Sequence, residues 1–368
     1  MPSLSRLALP PLLVLIGIVT LLPVADARTL PAAEGRAAAQ RTRVRVPGEF
    51  ERIDALLLGA AQMVQFHPQV LVDIVAAVHG TIQVVGLVGF KDEREQVATL
   101  LDDAGLPPDA MTMVTAPVRS MWARDYGPLT VLDPQGNPYF LDATYQGRGA
   151  VRDDEVPEHL GRRFSIPVVD LPLTMEGGDL LSNGRGLVLT TQRLLKRNEQ
   201  EHGYSFEDVW GILKLYCGFT DWVALPSLQG EPTGHLDMYL TFVTATTVVV
   251  GSYDPAVDPD NAAWLDWVAR QLAGRETPDG PLQVERIPMP RHDDGHWRTY
   301  TNVVYANGVL LVPTYAECCG ELDGQAIAVY ERLLPGWKVI GVESTSLIRR
   351  NGSLHCVTLG LSELPTAL

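Results

Sequence analysis

The sequence predicts an α/β fold, and three observations predict it. Hydrophobic residues fill 46% of 368 positions, enough for a sizeable buried core. Short runs rich in valine, leucine and aromatics alternate with segments of helical periodicity. From Pro47-Gly48-Glu49-Phe50 onward, no low-complexity break divides the chain. In chain order, Val70 to Val78 reads as a helix, Ile82 to Val88 as a buried strand and Glu93 to Ala104 as the next helix. Tyr139 to Tyr145 and Gly186 to Thr191 read as strands, and Ser205 to Tyr216 as a helix. Thr246 to Tyr253 is a valine-rich strand followed by the helical pattern Asn261 to Ala273. Val309 to Tyr315, Gly324 to Leu334 and Trp337 to Val342 then read as strand, helix and strand. These units recur loosely at roughly sixty-residue intervals, too irregularly for a solenoid but in keeping with a few similar modules around one centre.

Ahead of this body, Arg6 precedes an apolar run from Leu7 to Val24 and then Ala25-Asp26-Ala27. That is the layout of a secretory signal peptide, residues 1–27, cut after Ala27. An uncleaved membrane anchor is the alternative, and Pro10, Pro11 and Pro23 interrupting the run speak against it. Residues 28–45 carry Arg28, Arg36, Arg41, Arg43 and Arg45 against Glu34, which reads as a solvated linker or disordered arm. Residues 46–368 are then one domain. The net charge of −15 makes nucleic acid and anionic membranes poor partners and attracts cationic small molecules or basic peptides. The cysteines are Cys217, Cys318, Cys319 and Cys356, too few for a disulfide framework and without metal-site spacing, so neither metal nor cofactor is implied. Cys217 reads as structural, and a bridge between the adjacent Cys318 and Cys319 would be strained.

Five short segments look unlike ordinary core or loop. They are Trp122-Ala123-Arg124-Asp125-Tyr126-Gly127-Pro128, Met175-Glu176-Gly177-Gly178-Asp179, Gly234-His235-Leu236-Asp237, Tyr300-Thr301-Asn302 and Ser353-Leu354-His355-Cys356. Each has a plain structural reading. Arg124 and Asp125 would form a surface ion pair at a turn, and Glu176 would open a turn at two glycines. His235 and Asp237 would share one face of a strand as a satisfied buried pair, and Cys356 would fill an apolar strand.

Together the segments hold what attack on a guanidinium carbon requires. Carboxylates clamp the planar cation through parallel N–H bonds. A thiolate is the natural nucleophile, and a histidine can protonate departing ammonia and then activate water. Rival readings of the same residues are a cysteine amidase or protease, an amidinotransferase, and a non-catalytic exported binder of cationic or guanidino ligands.

The chain resembles the agmatine deiminase and bacterial peptidylarginine deiminase family of the guanidine-modifying superfamily. The resemblance runs from Pro47 to Leu361, through Pro-Gly-Glu-Phe-Glu, Trp-x-Arg-Asp-x-Gly-Pro, Gly-His-x-Asp and Leu-His-Cys-x-Thr in that order. It implies a pentein fold, an α/β-propeller of five pseudo-symmetric ββαβ modules around a central active site. It also implies a hydrolase that turns an arginine-like guanidinium into a ureido product and ammonia through a cysteine-bound thiouronium. By the same resemblance Cys356 is the nucleophile, His235 the general acid and base, and Asp125 and Asp237 the clamp, with Trp122 beside them. Glu176 orients the histidine or binds a guanidinium nitrogen, and Asn302 is either a site asparagine or a buried structural amide. Export and Asp153-Asp154-Glu155-Val156-Pro157 resemble the secreted peptidylarginine branch, whereas Glu176 resembles agmatine and free-arginine deiminases. Arg148 and Arg152 stand near where that peptide branch grips a carboxylate, with spacing that does not match cleanly. The implied partner is thus a small guanidino compound or an arginine-containing peptide.

Overall fold

The structure, a computed structural model, describes residues 44–116, 118–147 and 150–364. The expected signal peptide at 1–27, most of the arm at 28–45, and Arg148 lie outside the described residues. The arm ends sooner than its sequence suggested. Val44 and Val46 are buried, and the Arg45 backbone bridges to Leu132 at 3.0 and 2.9 Å. Arg45 also pairs with Glu51 at 2.8 Å, so its charge serves the folded body.

The chain then repeats one pattern. Strand β1 (Ala55–Leu58) runs parallel to β2 (Gln83–Val88), with helices Ala60–Phe66 and Pro68–Val78 crossing between them. Helix Lys91–Asp103 leads on to β3 (Thr112–Thr115), parallel to β2. Next, β4 (Leu129–Leu132) and β5 (Pro138–Thr144) pair antiparallel, and after helix Val156–Phe164 the strand β6 (Val168–Thr174) lies parallel to β5. The third sheet joins β7 (Leu180–Ser182) to β8 (Leu187–Thr191), then crosses through helices Gln192–His202 and Phe206–Cys217 to β9 (Asp221–Leu225). In the fourth, β10 (Leu240–Thr244) pairs with β11 (Thr247–Ser252), and helix Pro259–Leu272 crosses toward the next strand. A small hairpin of β12 (Glu276–Thr277) and β13 (Gly280–Pro281) precedes β14 (Gln283–Pro288), which lies parallel to β11. The fifth holds β15 (Val304–Ala306), β16 (Val309–Thr314), helix Ala316–Leu333 and β17 (Lys338–Glu343). Finally β18 (Thr358–Leu361) returns antiparallel to β1, Ala55 opposite Leu361 and Leu58 opposite Thr358.

Five sheets of the order strand, antiparallel strand, helix, parallel strand result, the one that holds β1 being built from both ends of the chain. This is the pentein pattern. Parallel neighbours need a covering crossover helix, which buries β8 and most of β16 on both faces and makes them continuous apolar runs. The six strands read from the sequence are these middle and last strands: β2, β5, β8, β11, β16 and β17. The first strand of each unit was not read, because it is short and follows a polar turn.

Two further differences concern one helix and the bridge at its kink. The helix expected at Gly324 to Leu334 starts at Ala316 and is kinked at Cys319. There Cys318 and Cys319 are joined as a vicinal disulfide, a bridge the sequence had argued against. Cys217 is a free, fully buried thiol. Among the described residues no helix is long and apolar enough to cross a membrane.

Candidate active site

Every unit is entered through a turn, and each turn carries one of the five segments. Asp125 lies on the short helix Ala123–Tyr126 just ahead of β4, and Glu176 caps the 3₁₀ turn Gly177–Asp179 ahead of β7. His235 caps the turn Leu236–Met238, which holds Asp237, ahead of β10. Asn302 precedes β15, and Cys356 precedes β18. The strands expected at His235-x-Asp237 and at Cys356 are therefore turns. Gly234 takes φ +75° to start the first of them, and the Thr301 hydroxyl donates to the Asp237 carbonyl at 2.9 Å to hold it.

The glycine pair after Glu176 lets two of these turns meet. A β-carbon on Gly177 would collide with the Arg124 carbonyl, and one on Gly178 with the His235 ring. Only glycine admits such an approach of backbone to its neighbours.

Cys356, His235, Asp125 and Trp122 line one cavity of ≈ 170 Å³, whose mouth is formed by Pro232, Thr233, Arg350 and Asn351. His235 is 3% exposed, with Nε2 2.8 Å from Glu176 and Nδ1 3.9 Å from Asp125. Asp237 is 1% exposed, and its Oδ2 lies 3.7 Å from the Cys356 sulfur. The Asn302 amide donates to that sulfur at 3.3 Å, while its Oδ1 accepts the His355 N–H at 2.8 Å. The Arg124 N–H donates to the Cys356 carbonyl at 3.1 Å and so ties the clamp turn to the thiol turn. Asp125 Oδ1 and Asp237 Oδ1 are buried with no hydrogen-bond partner among the described residues. Unpaired carboxylate oxygens in such a place ask for a donor from outside the chain.

The charges follow from this crowding. Burial, with Glu176 and Asp237 nearby, lifts Asp125 to about 7 although His235 opposes the shift. His235 is raised to about 10, because Glu176 and Asp125 outweigh the burial that would lower it. Burial and then Asp237 and Asp125 push the Cys356 thiol well above its ordinary value. Glu176 stays well below the carboxylate range despite its burial, held by His235, Arg193 and Arg197. These directions favour a protonated thiol beside an imidazolium. A cation entering between the aspartates favours the thiolate and the charged form of Asp125. Asp125, Glu176 and His235 also bring one donor atom each within 4.8 Å of one another, a set able to take a cation, whether a metal or an organic one.

Asp125, Glu176, His235, Asp237, Asn302, Cys356 and Trp122 thus converge. The ion pair foreseen between Arg124 and Asp125 does not form; Arg124 turns away to Glu49 at 2.5 Å. Four supporting residues were not read. Arg193 and Arg197 bind Glu176 at 2.7 and 3.2 Å from helix Gln192–His202. Glu49 and His355 stand behind Asp237 and had appeared only as parts of motifs.

The family model for Porphyromonas-type peptidyl-arginine deiminase matches residues 45–361. The chain belongs to that family. A Streptomyces coelicolor relative provisionally named agmatine deiminase is 29% identical over 271 residues, covering 69% of this chain and 78% of that one. A Porphyromonas gingivalis structure, provisionally named arginine deiminase, superposes with a TM-score of 0.76 at 25% identity over 87% of this chain and 99% of that one. The agmatine deiminase of Enterococcus faecalis gives 0.75 at 21% identity over 88% and 97%, which bears on the fold. As a member of this deiminase family the chain is a hydrolase acting on C–N bonds of linear amidines.

Proposed function

We propose that the chain deiminates a guanidino substrate whose far end carries a carboxylate, as free arginine or a C-terminal arginine does, and that it does so outside the cytoplasm. The observation that carries the deimination is a pair of aspartates at the Cys356 sulfur, each with one buried oxygen left unpartnered among the described residues: Asp125 lines the cavity with Cys356, and Asp237 lies 3.7 Å from the sulfur through its other oxygen. The guanidinium enters between the two aspartates and Asp125 gives up its proton to solvent. The thiol proton also leaves, since a bound cation stabilises sulfur as thiolate. The sulfur adds to the guanidinium carbon, and the His235 imidazolium protonates the departing nitrogen, which leaves as ammonia. A thiouronium on Cys356 remains. Neutral His235 then takes a proton from water, whose oxygen attacks the same carbon, and collapse releases the ureido product and the thiolate while the hydroxyl proton passes to solvent.

Arg350 supports the choice of substrate end. It stands at the mouth of the cavity, stacked 4.3 Å over the Phe66 ring, and among the described residues no carboxylate pairs with it. A carboxylate would be attracted there and the ammonium of agmatine repelled. Agmatine is the second reading, on the strength of the relatives' names. Export rests on the leader at 1–27. Purified protein lacking residues 1–27 is assayed for ureido product with agmatine, free arginine and a peptide ending in arginine. Turnover of the carboxylate-bearing pair, reduced in Arg350→Ala, is expected. Turnover of agmatine alone sinks the substrate assignment, and ureido formation undiminished in Cys356→Ala sinks the mechanism.

A further inference from the structure

Behind the reacting groups lies a buried row of alternating charges that the mechanism does not use. His355, 3% exposed, has Nδ1 2.7 Å from Asp237 Oδ2 and Nε2 2.6 Å from Glu49 Oε2. The other Glu49 oxygen accepts from Arg124 Nη1 at 2.5 Å. Both ring nitrogens therefore face a carboxylate, and only the imidazolium can donate to both. The row closes into a loop, because Arg124 adjoins Asp125 and bonds the Cys356 carbonyl, while Cys356 adjoins His355.

We infer that His355 is a positioning residue for the deimination proposed above: charged and held by Glu49, it fixes one oxygen of Asp237 so that the other faces the guanidinium. A free carboxylate would rotate, or turn toward His235 or the sulfur. Bonded at Oδ2, Asp237 keeps Oδ1 buried and without a partner among the described residues. The charge matters as well as the bond. Burial would raise Asp237, yet it lies below its ordinary value through His355, with help from His235 and Arg124. Glu49 is held at about 2, where Arg124 and His355 outweigh its burial. The titratable and charged groups facing Asp237 and Glu49 are His355, Arg124, Asp125, His235, Cys356, Tyr239 and Tyr305.

Two substitutions separate the two bonds of the ring. In His355→Asn the amide nitrogen falls near the former Nδ1 and still donates to Asp237; in His355→Gln it falls near the former Nε2 and donates to Glu49. His355→Gln should raise KM for the guanidino substrate by roughly 10- to 100-fold, the worth of a hydrogen bond to a charged group. It should also move the acid limb of kcat/KM to higher pH, since Asp237 without its cation takes up a proton sooner. His355→Asn should raise KM much less. Equal KM in the two variants, or an acid limb unmoved in His355→Gln, overturns the inference. Should either variant fail to fold, the imidazole nitrogen spectrum of the ¹⁵N-labelled wild type at pH 7.5 decides. Two protonated nitrogens on His355 are expected, and one protonated nitrogen overturns the inference. A wild type inert toward every guanidino compound would count against deimination and not against the charged row, which the spectrum reads without turnover.

Discussion

Two histidines sit in this site, and they are wired differently. His235 borders the cavity with one short bond, to Glu176 at 2.8 Å, and a loose approach to Asp125 at 3.9 Å. His355 is walled off, with short bonds to a carboxylate from both nitrogens. A ring with one loose side can lose and regain a proton as a substrate comes and goes. A ring locked on both sides keeps its proton and serves as a fixed charge. The residue type is the same, and the difference lies in whether the second carboxylate belongs to the cavity or to the wall.

The sharpest break of this contrast is on activity. His235→Asn should lower kcat by about 10²- to 10⁴-fold, the usual worth of a general acid and base, in a steady-state ureido assay. On stability the order reverses. His355→Ala leaves the buried Asp237 without its cation, although half-buried Glu49 keeps Arg124, and should cost about 3–5 kcal/mol in urea unfolding. His235→Ala should cost less, because Glu176 keeps Arg193 and Arg197.

Asp125 sharpens the contrast through pH. Its pKa is raised, so its ionisation weakens the fold progressively from the ordinary carboxylate range up through about pH 7. Asp125→Asn should therefore raise the Tm at pH 8 relative to wild type, leave it unchanged near pH 3, and abolish turnover; an unchanged Tm at pH 8 would contradict the burial argument. His235 has the opposite sign. Its raised pKa adds stability that is complete below about pH 6.5 and lost as pH rises through about 10, so the wild-type Tm should fall across that interval. The smallest effect is calorimetric. Below pH 7 a guanidinium ligand should release up to two protons, one from Asp125 and one from the Cys356 thiol, read as a buffer-dependent binding enthalpy, and Arg193→Ala should leave that release in place while weakening turnover about tenfold through a loosened Glu176.

The legibility of the site follows the same division between cavity and wall. Asp125, Glu176, His235, Asp237, Asn302 and Cys356 were readable because each sits in a polar or glycine-bearing turn that interrupts an apolar run. Helix Gln192–His202 was not readable. Its sequence, Gln-Arg-Leu-Leu-Lys-Arg-Asn-Glu-Gln-Glu-His, is so polar that only Leu194, Leu195 and Asn198 are buried, which leaves almost no apolar period to detect. A start signal was nevertheless present, since the Thr191 side chain accepts from the Leu194 N–H, and the helix places Arg193 and Arg197 one turn apart toward Glu176. Glu49 and His355 stayed hidden for another reason: the bond between them spans the chain from near its first strand to its last. No local pattern announces such a contact. The His235-x-Asp237 spacing was misread as a strand because alternate residues also converge in a tight turn opened by a glycine with positive φ.

The pairing of β18 with β1 fixes when the chain can first act. Synthesis delivers the clamp at Asp125, then Glu176, then His235 with Asp237, then Asn302, and the sulfur of Cys356 emerges after all of them. A chain that stops short of residue 355 lacks the sulfur and also His355, whose ring holds Asp237 Oδ2 at 2.7 Å, so neither the nucleophile nor the oriented clamp is present in it. Chemistry starts only when the returning strand docks on the one made first, and ring closure acts as the arming step.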